Sequence, residues 1–154
     1  MTNFIREVKG EACIQEKSTG DLRRELMEQD SIDTYIKENQ TLFTDKSVAE
    51  LLTELYEQKD LTKAELARRA SMSEVYLHQV FSGRRNPSRD RLLCLCIGLG
   101  ATLEETQELL KRASYAQLYP KTKRDAVIIH GLLHQKELND INDTLFSENE
   151  KTLF

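Results

Sequence analysis

The chain of 154 residues has no tryptophan, two prolines and six glycines, and aromatic side chains make up only 6% of it. So few turn formers and β-favouring aromatics argue against a protein of many short strands and tight hairpins, and leave a mainly helical one. The three cysteines, Cys13, Cys94 and Cys96, are an odd number with no framework spacing, which excludes a disulfide scaffold and favours reduced thiols. No apolar run approaches the roughly 18 residues of a membrane span. The first residues carry charges every few positions and lack the apolar stretch of a leader. The expectation is a cytoplasmic protein with no membrane segment. A phosphate-cradling glycine loop, an H-E-x-x-H pair and a zinc-spaced cysteine pair are all missing. No catalytic residue, metal site or cofactor is therefore expected, and the chain does not read as an enzyme. His130 and His134 stand one helical turn apart but have no evident third ligand. A helix end, where the dipole favours their charge, accounts for them better than a metal.

What is present is charge, unevenly spread. The net charge is −4, yet residues 60–91 hold seven basic against four acidic side chains while every other stretch is net acidic. The apolar residues repeat at helical spacing. Residues 1–20 show no stable period and read as a loose arm. Residues 21–39 read as one or two short helices, with Leu22, Leu26, Met27, Ile32 and Ile36 on apolar faces and Ser31 as a cap. Residues 40–46 read as a linker. Val48, Leu51, Leu52, Leu55 and Tyr56 then form a stripe wide enough to face a core, opened by Ser47 and Glu50.

Two short helices follow, over 62–70 and 73–82, joined by a three- or four-residue turn. Thr62 and Glu65 have the spacing of a capping box, and Leu61 and Leu66 that of a hydrophobic staple. Ser73 caps the second, with Met72 and Leu77 placed for another staple. Ala67 is small enough for the second helix to cross closely. Gly83 ends that helix as a left-handed residue would. A fourth helix is predicted over about 88–98, ended by Gly100, and a fifth from Thr102 and Glu105 to about Ala113. Beyond Pro120, two more amphipathic helices are expected over 121–134 and 137–146. Their apolar faces must bury themselves, either back on the five helices or against a partner.

The ordered set Leu66-Ala67, Ser73, Tyr76, Leu77, Val80 and Gly83-Arg84-Arg85-Asn86-Pro87-Ser88 resembles the XRE/Cro/CI-type helix-turn-helix family of phage and bacterial repressors. The resemblance covers roughly residues 47–113. It implies an all-α fold: a five-helix repressor-like domain at 47–113, with an N-terminal helical arm at 1–46 and a C-terminal helical extension at 114–154. It also implies that the 73–82 helix enters the major groove of double-stranded DNA. Carried over position by position, the residues facing the bases are Glu74, Val75, His78 and Gln79. Gln79 can pair with adenine, Val75 can touch a thymine methyl, and Glu74 can accept from cytosine but repels phosphate. Tyr76 falls either in the core or at a phosphate. Phosphate contacts are expected from Lys63, Ser73, Arg84, Arg85 and Arg89.

Three departures matter. Lys63 replaces the usual glutamine opening the first motif helix, and Ser71 replaces the turn glycine, at a cost of about 1 kcal/mol if its φ is positive. Only Gln79 is a strong base reader, beside an acidic Glu74. The functional expectation is a homodimeric transcriptional regulator on a pseudo-palindromic operator, with Leu132, Leu133, Ile141, Leu145 and Phe146 as the surplus surface for the dimer. The alternative is an antitoxin-like or phage-defence adaptor that keeps the fold and binds a protein through the N-terminal arm or the C-terminal hairpin.

Overall fold

Serine and threonine start most of the helices. In the computed structural model, which describes residues 17–43 and 46–154, the side chains of Ser18, Ser47, Thr62, Ser73, Ser88 and Thr102 each accept a backbone N–H from the first turn they precede. Each such cap contributes on the order of 1 kcal/mol. The reciprocal half of the box forms at Ser18 with Asp21 and at Thr102 with Glu105. The expected boxes at Ser47 and Thr62 reduce to the hydroxyl cap alone. Ser31 precedes a helix without capping it through its side chain.

The described residues form two units, 17–43 and 46–154. The first holds α1 (Thr19–Glu28), α2 (Ile32–Glu38) and a 3₁₀ turn at Gln40–Leu42. Helix α1 therefore begins inside the stretch read as a loose arm, on the Ser18 cap; the rest of that reading, with Cys13, lies outside the described residues. The apolar faces expected here are not its core. Leu26, Met27, Ile32 and Ile36 are exposed, and the buried side chains are Tyr35 and Asn39. The Asn39 amide donates to the Tyr35 carbonyl (3.0 Å) and to Glu25 (3.0 Å), and accepts from Lys17 (2.9 Å). Two helices this short cannot enclose a large apolar interior, so a polar clasp holds them.

The second unit carries α3 (Val48–Glu57), α4 (Lys63–Arg69), α5 (Glu74–Phe81), α6 (Arg89–Leu99), α7 (Leu103–Arg112), α8 (Lys123–Leu133) and α9 (Leu138–Ser147). Helices α4 to α9 all close the same way. A residue at the C-cap (Gly100 in α6) or just after it (in the others) turns left-handed, its N–H bonds back three residues, and the next N–H bonds back five. Gly83 and Gly100 serve this role as expected, with φ of 79° and 65°. Ser71, Ser114, Gln135 and Asn149 do so without being glycine, with φ of 52°, 61°, 51° and 57°. The paired bonds at Ser71 run from Ser71 N to Arg68 O (3.2 Å) and from Met72 N to Ala67 O (3.0 Å).

Helix α6 is the axis of this unit. All its residues from Leu92 to Leu99 are buried, on every side of the helix. A helix apolar all round needs cover all round. Helices α4 and α7 supply part of it, and α9 with the chain end supplies the rest. Gly98 lets α4 in: a Cβ there would lie 3.2 Å from both the Cβ and the backbone N of Ala70. Gly131 does the same between α8 and α9, where a Cβ would sit 2.4 Å from Ile141 Cδ1. On the far side, Leu145 and Leu153 are buried, and the Asn142 side chain accepts the Leu153 N–H at 2.8 Å.

The hairpin thus packs back on the five-helix core, which does not close without it. Of the five residues expected at a dimer surface, Leu132, Ile141 and Leu145 are buried within the chain, and only Leu133 and Phe146 are exposed. The sequence shows α6 apolar on all sides but not which segment covers it. Two crossed ion pairs fix the junction. Arg89 and Asp90, opening α6, pair with Asp125 (3.2 Å) and Arg124 (3.0 Å), opening α8. Among the described residues no helix is long and apolar enough to cross a membrane.

Candidate nucleic-acid interface

The α4–turn–α5 unit is held from inside by Leu66, Ala67, Ala70, Leu77 and Val80, all buried. Ser73 accepts the Tyr76 N–H at 3.1 Å and so fixes where α5 begins. With Leu77 and Val80 turned inward, the helical period turns Glu74, Val75 and His78 outward. All three are exposed, Val75 at 68%, while Gln79 is half-buried at the edge of that face. A valine so exposed at the start of a capped helix is surface that the core does not use. The Ser73 hydroxyl accepts in the cap and still has its own proton to donate.

The following loop is anchored to the domain. Gly83 begins it, Pro87 is buried, and the Tyr115 hydroxyl donates to the Pro87 carbonyl at 2.6 Å. Arg84 and Arg85 are exposed on it. The Arg85 guanidinium lies 5.4 Å from the centre of the Tyr76 ring, and that of Arg91, from the first turn of α6, lies 4.6 Å from it. Tyr76 is half-buried, a core residue on one side and a seat for two cations on the other, so it fills both roles left open by the sequence. Lys63, opening α4, is less free than expected. Its ammonium stands 3.4 Å from the centre of the Phe81 ring and 4.2 Å from that of Tyr56, and partial burial lowers its pKa below the usual lysine range.

Arg89 goes elsewhere. Its guanidinium is engaged by Asp125 and donates to the Ala116 carbonyl at 2.9 Å and the Gln117 carbonyl at 3.4 Å. It is an internal anchor, in contrast to the phosphate contact expected of it. Arg91 is the cation that joins the α5 face, and sequence reasoning passed over it. Residues 89 and 91 are about 200° apart on a helix, so only one of the two can share a side with Tyr76. The signal that decides between them is Asp125, 36 positions along, which no local pattern reveals.

The His130 and His134 rings stand 4.2 Å apart at the end of α8. Among the described residues no group of three or more His, Cys, Asp or Glu side chains is placed to hold a metal ion. Cys94 and Cys96 are both buried in α6, though they point to different sides of it; burial pushes their thiol pKa values up to about 11 and about 12.

No curated protein and no solved structure matches the chain. Residues 47–109 match the family model of a helix-turn-helix domain. That match runs from the Ser47 cap into α7 and takes in the turn and the outward face described above. Residues 47–109 of this chain form a helix-turn-helix domain.

Proposed function

We propose that the protein is a transcriptional regulator that binds a specific DNA sequence through α5. The observation that carries this reading is the outward face of that helix: Glu74, Val75 and His78 exposed, Gln79 beside them, with Arg85 and Arg91 on the Tyr76 ring at its flank and Arg84 exposed on the same loop. Base reading falls to Gln79, by paired hydrogen bonds to adenine, and to Val75, against a thymine methyl, with Glu74 accepting from cytosine and His78 donating to a guanine or a phosphate. Phosphate contact falls to Arg84, Arg85, Arg91 and the Ser73 hydroxyl, with Lys63 reaching from its aromatic seat. Arg89 is left out of the set because Asp125 holds it. One short recognition helix per chain favours two copies on a pseudo-palindrome, with half-sites about 34 Å apart.

The test is binding of the full chain to the DNA upstream of its own gene and to a scrambled duplex, across a range of salt. Specific binding at least a thousandfold tighter than scrambled is the expected order for a regulator.

A second reading has one observation in its favour. The 17–43 unit exposes Leu26, Met27, Ile32, Ile36 and Phe43, apolar side chains that its described core does not use. An adaptor would use that surface for a protein and bind DNA weakly and without sequence preference. The same titration separates the two.

A further inference from the structure

A cleft of about 620 Å³ lies between the C-terminal ends of α4 and α6 and the turn joining α8 to α9. Lys59, Arg68, Arg69 and Lys136 stand around it, against Glu137 as the only carboxylate in its lining. Most basic side chains of residues 46–154 are engaged. Lys46, Arg89, Arg112, Lys123, Arg124 and Lys151 have carboxylates, and Lys63, Arg85 and Arg91 have aromatic rings. Seven have neither an ion pair, a side-chain hydrogen bond nor a ring, and four of the seven are the cations of this cleft. In a chain of net charge −4, such a gathering is not a general excess of positive charge. Cations drawn together without an anion repel one another, and a concave wall focuses their field. The first turn of α9, which has no side-chain cap, opens on the same space and adds backbone donors to a site that the cations define.

We propose that this cleft binds a small, multiply charged oxyanion of the phosphate type. Arg68 and Arg69 offer planar forks to its oxygens, and Lys59 and Lys136 offer point charges across the gap. Ser71, Gly98 and Gly100 line the site and leave their backbone close to it, beside Ile97, Leu99 and Ala101. The same chemistry has a second source in the DNA backbone. The cleft sits at the opposite end of α4 from Lys63, and the proposal commits to a free anion.

The experiment is a ¹H–¹⁵N NMR titration of the full chain with sodium pyrophosphate at constant ionic strength. Saturable shifts are expected at the amides of Ser71, Gly98, Gly100 and Leu138, with half-saturation below about 1 mM. The Arg69→Ala/Lys136→Ala variant, whose spectrum also reports its fold, should bind about tenfold or more weakly, and Lys111→Ala within about twofold of the parent. Shifts that do not saturate, that spread over the basic surface at large, or that survive the double substitution overturn the proposal. A second arm measures the salt dependence of DNA binding. An unchanged slope in the double variant is expected, and a slope shallower by about 2 would make the cleft a seat for DNA phosphates and overturn it as a small-anion site. The titration needs no DNA, so it decides this site even if the protein proves not to bind DNA.

Discussion

Ser71 is a residue whose local cost can be measured. It holds φ at 52°, where a Cβ is strained, and it closes α4 with two backbone bonds that any residue could make. Ser71→Gly should therefore raise stability by about 1 kcal/mol in urea unfolding, without moving either helix. No change would mean that the serine side chain compensates within the turn. Gly131 is the opposite case, because a Cβ there would lie 2.4 Å from Ile141 Cδ1. Gly131→Ala should destabilise by about 1–3 kcal/mol as Ile141 is forced aside. The buried thiols behave as acids whose folded pKa exceeds the ordinary 9.0, about 11 for Cys94 and about 12 for Cys96. Both stay neutral in the fold, so their contribution to stability is complete below about pH 9 and falls as pH rises through their folded values. A Cys13→Ser protein at pH 8 should then react with a thiol reagent only as fast as it unfolds. Rapid labelling of the native protein would contradict that burial.

At the scale of elements, α5 and the start of α6 divide the arginines into two kinds, and salt dependence tells them apart. Replacing Arg84 and Arg85 with alanine should weaken binding to all sequences alike and make the salt slope shallower by about 2, and Arg91→Ala by about 1. Arg89→Ala should leave the slope alone and instead lower stability by about 1–3 kcal/mol, since it removes the cation beside Asp125, leaving it only the Tyr119 N–H, and a donor to two carbonyls. A slope that falls for Arg89 and not for Arg91 would reverse the assignment. The elements themselves were largely legible. Ser47, Thr62, Ser73, Ser88 and Thr102 mark helix starts, and Gly83 and Gly100 mark ends, because each does its work within a few residues of itself. The outward positions of α5 came from the family resemblance, and the helical period agrees with them. The left-handed closures at Ser114, Gln135 and Asn149 were not legible, although the helix ends beside them were placed within a residue or two, since nothing but φ distinguishes those residues. Nor was the exchange of partners between residues 89–90 and 124–125, which depends on two segments meeting.

On the scale of the whole molecule, the C-terminal hairpin is part of the core of the 46–154 unit. Ile141 and Leu145 are buried, each contributing roughly 1.5–3 kcal/mol by leaving water, and with Leu153 they lie on the side of α6 that the five helices do not reach. Removing residues 121–154 should therefore unfold the helix-turn-helix domain, seen as loss of helical circular dichroism and of a cooperative transition, and not merely yield a monomer. A truncated protein that still melts cooperatively would place the cover of α6 elsewhere. The sequence left open whether the hairpin packed back or faced a partner, because amphipathic helices look the same in either case.

The central claim is that the outward face of α5 reads DNA sequence, and Gln79 is the residue on which it is most exposed to test. Binding of the full chain and of Gln79→Ala to the upstream DNA of the gene and to a scrambled duplex, by fluorescence anisotropy at matched salt, measures discrimination directly. The expected result is a clear preference of the parent chain for its own upstream DNA. Gln79→Ala should reduce that preference by about 1–3 kcal/mol while its affinity for the scrambled duplex stays the same. A parent chain with no preference, or a variant that keeps the preference in full, would contradict the account.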